Sequence, residues 1–95
     1  MKLRWSRLAV EDLLALRSRI AEDNPAAAQK IARIIISSIQ RLLSENAEIG
    51  RPGRVPGTRE LVIARTPYIV PHRVRRGVIH VLRVYHGKRR WPEKL

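Results

Sequence analysis

The 95-residue chain contains no cysteine. Neither a disulfide framework nor a thiolate metal site is open to it, which fits a reducing compartment. Long apolar runs are also missing. The longest uninterrupted stretches are a few residues, far short of the roughly 18 that a bilayer-spanning helix needs. The opening "MKLRWS" has early cations but leads into no apolar stretch of signal-peptide length, so none is expected. There is no internal repeat and no low-complexity tract. These absences predict a single soluble, cytoplasmic domain over residues 1–95, with no membrane partner and a modest core.

Acidic residues are scarce, and unevenly so. The chain has 20 Lys+Arg against 8 Asp+Glu, a net charge of +12. Residues 1–48 hold 8 basic and 6 acidic residues, a net of +2. Residues 49–95 hold 12 basic and 2 acidic residues (Glu60 and Glu93), a net of +10. A field of that strength attracts polyanions and raises encounter rates with acidic partners. By itself it does not choose between RNA, DNA and an acidic protein.

Periodicity supplies the fold class. "KLRW" (2–5) puts Leu3 and Trp5 on one face and reads as a first strand, with Trp5 in the core. Ser6 is placed to cap a helix, its hydroxyl accepting from an orphan backbone N–H. Ala9, Leu13, Leu16 and Ile20 then recur at helical spacing. "EDNPAAAQ" is a break and a restart, with Asn24 as cap and Pro25 at the first helical position. Ala28, Ala32, Ile35, Ile39 and Leu42 continue the period, and Ile31, Ile36 and Leu43 widen the stripe. So short a connection implies an antiparallel helical hairpin.

"ENAEIGRPGRVPGT" (45–58) holds three Gly and two Pro and reads as a loop. Three strands follow. "TRELVIA" alternates around Leu61 and Ile63. "YIVPHRV" places Tyr68, Val70 and Val74 on one face, interrupted by His72. "GVIHVLRVYH" alternates Val78, His80, Leu82 and Val84 against Ile79, Val81, Arg83 and Tyr85. "RRG" marks a hairpin with Gly77 at positive φ. Pro71 lacks a ladder donor and implies an edge position or a bulge. The expectation is an α+β fold, β-α-α-β-β-β: an N-terminal strand, then a helical hairpin packed on one face of a small antiparallel sheet.

Four stretches together resemble the RelE/ParE superfamily of toxin–antitoxin toxins. They are the helical hairpin "AVEDLLALRSRIAEDNPAAAQKIARIIISSIQRL", the loop and strand "EIGRPGRVPGTREL", the strand "PYIVPHRV" and the closing "VLRVYHGKRRWP". The resemblance covers nearly the whole chain. It implies a toxin, of the kind that stabilises plasmids, held as a hetero-oligomer by a cognate antitoxin with an acidic, partly disordered segment. Two activities divide the superfamily. RelE-like members cut mRNA in the ribosome, which needs a base, a proton donor and cations around the phosphate. ParE-like members block DNA gyrase without chemistry. The nuclease branch usually has Arg after the strand's aromatic, and here Ile69 follows Tyr68. It usually has Arg after the last strand and then a catalytic Tyr, and here Gly87 stands near the first position and no Tyr follows Tyr85. His72 stands where the family usually has Tyr. The ParE-like branch is the better match.

The candidate site residues lie on the last three strands and the tail. Target or antitoxin binding is expected of Arg59, Arg73, Arg83, Tyr85, His86, Lys88, Arg89, Arg90 and Trp91. Arg59, Arg73 and Arg83 would stand on the outer, solvated sheet face, where an acidic peptide could dock. Trp91 could cap the core, anchor a partner or stack on a base. If the chain is a nuclease, His86, Lys88, Arg89, Arg90 and Arg83 are the set that could move protons and hold phosphate, since imidazole carries protons near neutral pH. His80 reads as packing or surface. His72, His80 and His86 share parity, but a metal site needs an oriented second shell and carboxylates. No metal or cofactor is expected. A basic binding module without toxicity is the remaining alternative.

Overall fold

The computed structural model describes residues 1–89 and 95. Strand β1 (Lys2–Trp5) leads into helices α1 (Arg7–Asp23) and α2 (Pro25–Glu45), followed by β2 (Arg51–Pro52), β3 (Arg59–Val62), β4 (Tyr68–Arg75), β5 (Val78–Val81) and β6 (Tyr85–His86). The sheet order is β1-β5-β4-β3-β2, with β6 also paired to β4. The α+β architecture with a helical hairpin on one sheet face is therefore as expected. The sheet is mixed rather than wholly antiparallel, because β1 runs parallel to β5 while every other pair is antiparallel. The helical hairpin and strands β2 to β4 lie between β1 and β5 in the chain, the kind of long crossover that a parallel pair requires.

Local chemistry sets the element boundaries. Ser6 Oγ accepts from the Ala9 amide at 3.0 Å and donates to the Leu82 carbonyl at 2.7 Å. One hydroxyl thus caps α1 and ties its start to the far strand. Asn24 Oδ1 accepts from the Ala27 amide at 3.1 Å, and Pro25 opens α2. The buried helix face is Ala9, Leu16, Ala28, Ala32, Ile35, Ile39 and Leu43. Two assignments within the stripe change: Leu43 is fully buried while Leu42 is half-buried, and Ile36 is 47% exposed on the outside of the hairpin. Beneath the helices lie Leu61, Ile63, Tyr68, Val70, Ile79, Val81 and Val84. Each large aliphatic side chain buried this way contributes about 1.5–3 kcal/mol.

Pro71 sits at a bulge, not at an edge. Strand β4 is central, with β3 on one side and β5 then β6 on the other. His72 pairs with Val81 and Ile69 with Tyr85, so residues 82–84 face only residues 70 and 71. The extra residue splits the segment read as one strand into β5 and β6 and reverses its parity, so Ile79, Val81 and then Val84 are buried. The Pro71 carbonyl accepts from the Leu82 amide at 2.9 Å. A residue's N and O point to the same side of a strand, so the missing donor faces the bulge, where no ladder acceptor is required. The β4–β5 turn has positive φ at both Arg76 (53°) and Gly77 (74°), the signature of a tight primed turn.

Candidate target-binding site

Residue 12 organises the site from below. Asp12 is on the helix face one turn before Leu16, and it reaches under the bulge. Its carboxylate accepts from Arg83 Nε at 2.8 Å, Arg83 Nη2 at 2.9 Å and the Val84 amide at 3.0 Å. The side chains are only 11% and 16% exposed. The Asp12 hydrogen bond raises the Arg83 pKa further, so the guanidinium is permanently charged and permanently occupied. Arg83 is thus not on a solvated sheet face as expected. The bulge turns it toward α1.

Above that pair lies an open pocket of about 610 Å³ lined by Asp12, Leu16 and Arg19 from α1 and by Tyr68, His86, Lys88 and Arg89. The turn after β6 is closely held. Gly87 N donates to the Pro67 carbonyl at 2.7 Å, and Arg89 N to the His86 carbonyl at 2.9 Å. A Cβ at Gly87 would lie 3.3 Å from that same Pro67 oxygen, tighter than ordinary packing allows. His86 stacks edge-on against Tyr68, with centroids 5.6 Å apart, and its Nδ1 accepts from the Lys88 amide at 3.2 Å. The Arg83 and Arg89 guanidinium carbons lie 4.7 and 4.9 Å from the Tyr85 ring centroid. Tyr85 is 1% exposed, and burial raises its pKa, so the phenol stays protonated at neutral pH. The pocket presents Arg19, Lys88, Arg89 and an imidazole, while the one carboxylate among its described residues is already bound to Arg83.

The other expected site residues are dispersed. Arg59 shares the parity of Leu61, so it lies on the helix side rather than the outer face. It meets Glu48 Oε2 at 3.2 Å and the Gly50 carbonyl at 3.1 Å. Arg73 does lie on the outer face, paired in register with His80. His72 is fully buried, and its Nδ1–H donates to the Val70 carbonyl at 3.2 Å. Burial lowers its pKa, against smaller opposing effects of the Val70 and Ile49 backbone. The three histidines stay apart: His72 faces the helices, His80 the opposite side, and His86 the pocket. Arg90 and Trp91 lie outside the described residues.

Sequence reasoning missed Asp12, Arg19 and Glu60. Asp12, Ala15, Leu16 and Arg19 form one helical row beside the apolar stripe, and that spacing was the available signal. Glu60 is 1% exposed on the sheet face away from the helices. Its carboxylate accepts from Arg51 Nε at 3.1 Å and from the Arg54 amide at 2.7 Å. It thereby folds the 50–58 loop onto that face, and its alternating position between Arg59 and Leu61 disguised it as solvated.

A helical hairpin over a bulged mixed sheet, with a cationic pocket where the hairpin meets the last strand, defines a small, basic α+β domain. Comparisons narrow the class. The model of the ParE toxin of the type II toxin–antitoxin system parDE matches residues 3–91. The chain is 38% identical over 94 residues to Y4kP of Sinorhizobium fredii, covering 99% of this chain and 96% of the relative. It is 34% identical over 85 residues to the toxin RelE2 of Caulobacter vibrioides, covering 90% and 93% of the two chains. A solved chain of a chromosomal ParDE toxin–antitoxin system from P. aeruginosa superposes with a TM-score of 0.82 at 34% identity, covering 90% of this chain and 95% of that one. The chain belongs to the ParE toxin family of type II toxin–antitoxin systems. No helix among the described residues is long and apolar enough to cross a membrane.

Proposed function

We propose that this chain arrests growth from the cytoplasm by binding DNA gyrase without chemistry, and that a cognate antitoxin with an acidic segment neutralises it. One observation carries the non-catalytic reading. Of the side chains that could perform RNA cleavage, Arg83 is committed to Asp12 by two hydrogen bonds rather than presented to a phosphate. Tyr85 is buried with its proton held tightly, and Ile69 stands where the nuclease branch carries a cation. What remains among the described residues, Arg19, His86, Lys88 and Arg89, suits attraction of an acidic surface better than acid–base work. The family match and the ParDE neighbour support the antitoxin partner.

The test is induction in a bacterial host without antitoxin, followed at early times by primer extension on mRNA and by a DNA-damage reporter. Early damage with filamentous cells and intact transcripts is expected. A purified supercoiling assay should show gyrase inhibition that Lys88→Glu/Arg89→Glu weakens at least tenfold. Codon-positioned mRNA cuts without early damage would overturn the reading in favour of a ribosome-dependent endonuclease. Normal growth with confirmed expression would leave a basic binding module.

A further inference from the structure

The sheet face away from the helices is not uniformly covered. At the start of β3 it is closed by Glu60 and the 50–58 loop, with Pro71 fully buried there, while Val62 at the end of β3 is 50% exposed. Toward β1 it is open. In register across β1, β5 and β4, the row Lys2, Val78, Arg75 lies beside the row Arg4, His80, Arg73. Arg76 projects from the adjoining turn. An open depression of about 780 Å³ is lined by Arg4, Arg75, Arg76, Val78 and His80.

Four sheet and loop arginines elsewhere have carboxylate partners: Arg51 and Arg54 meet Glu60, Arg59 meets Glu48, and Arg83 meets Asp12. None of Lys2, Arg4, Arg73, Arg75 and Arg76 has one among the described residues. The Arg73 Nε is buried without a hydrogen-bond partner. The cluster also lacks what a docked peptide would use, because Val78 is its one apolar member. Its one ring is the half-buried His80 imidazole, and it has no Trp, Tyr or Phe to make a platform for stacking single-stranded bases. What it offers is cations on a grid, with rows roughly 7 Å apart along the strands and strands about 4.8 Å apart.

We propose that this corner of the sheet, centred on Arg4, Arg73, Arg75 and Arg76, contacts the phosphate backbone of duplex DNA, independently of base sequence. The duplex presents closely spaced phosphates along each strand, so a patch of this size can meet two or three. The corner shares no residue with the His86 pocket, so the inference stands apart from the gyrase reading.

The experiment is fluorescence anisotropy of the full chain with a mixed-sequence duplex of roughly 25 base pairs, titrated across about 50–250 mM salt. The variant Arg75→Gln/Arg76→Asn keeps a side chain tolerant of positive φ at residue 76. It should weaken binding about tenfold or more at low salt and reduce the slope of log K against log salt by about 2, since each lost phosphate contact removes about 0.9. The charge-matched control Arg17→Gln/Arg33→Gln, on the exposed side of the helical hairpin, should change affinity less than twofold. Circular dichroism establishes that both variants fold. Equal losses in the two variants would mean attraction by net charge alone and would overturn the proposal. So would no binding by the unaltered chain, or tighter binding of a polyglutamate peptide than of duplex.

Discussion

A single carboxylate under the bulge determines what the cationic tail can do. Asp12 holds Arg83 and the Val84 amide, and both Asp12 and Arg83 are mostly removed from water. Asp12→Ala should cost about 3 kcal/mol in urea unfolding, because it strands a mostly buried guanidinium that is paired with no other carboxylate among the described residues. Asp12→Ala/Arg83→Met should recover much of that loss, since removing both charges also removes the desolvation penalty. A double variant no more stable than the single would mean that the contact with the Val84 amide, not the ion pair, carries the site. His72 makes the opposite kind of contribution. Its folded pKa lies below the ordinary 6.5, because burial disfavours the charged ring. Well above 6.5, from about pH 7.5 upward, the ring is neutral in both states and adds no pH dependence. As pH falls below that value, the unfolded chain takes up a proton that the folded chain refuses, so stability declines until the lower folded pKa is reached. His72→Asn keeps a donor for Val70 but cannot titrate, and between pH 7 and 5 it should lose less stability than the unaltered chain. Parallel declines in the two proteins would remove His72 as the cause.

At the scale of elements, the helices were the most legible part of the sequence. Ser6 and Asn24 cap them as their side-chain chemistry predicts, and the Ala9 and Ala28 periods mark the buried faces. The strands were only partly legible: β2 (Arg51–Pro52) lies inside the stretch read as a loop, and β5 and β6 lie inside one read as a single strand. Nothing in "GVIHVLRVYH" announces that alternation fails at Leu82, because a bulge depends on the neighbouring strand. The hint was Pro71, which lies on that neighbour. The same limit hid the orientation of Arg59 and Arg83, whose faces depend on register and on the bulge. The candidate site was legible as a cationic tail, since His86, Lys88 and Arg89 do share one pocket. Its floor was not, because Asp12 is more than seventy residues away in sequence. The 50–58 loop illustrates a long-range device of the same sort. Its Gly50 has φ +103°, and a Cβ there would collide with the Glu60 carbonyl. Glu60→Gln keeps the shape but removes the charge and replaces one of the two acceptor oxygens, which face Arg51 Nε and the Arg54 amide, with a donor. Hydrogen exchange at Arg54 should accelerate at least tenfold while α2 amides stay protected, and stability should fall by about 1–3 kcal/mol. Unchanged exchange at Arg54 would show that the glycine turns alone hold the loop.

For the molecule as a whole, charge acts in two directions, and salt separates them. Twelve net positive charges on 95 residues repel one another in the compact state. Raising ionic strength shortens the screening length from about 30 Å at 0.01 M to about 8 Å at 0.15 M, less than the spacing of most of these charges. The melting temperature of the isolated chain should therefore rise with salt in this range. Association with an acidic antitoxin should respond with the opposite sign, because the same field accelerates encounter and screening removes it. The association rate should fall at least tenfold across that range, while the dissociation rate, set by close contacts, changes much less. The asymmetry of the chain adds a sharper expectation. Neutralising Lys88 and Arg89, in the half that carries +10, should flatten the salt dependence of association more than neutralising Lys30 and Arg41, in the half that carries +2. Stopped-flow mixing over a salt series measures both slopes. If the two variants flatten them equally, the antitoxin is guided by total charge, and the clustering of cations around the His86 pocket does not steer it.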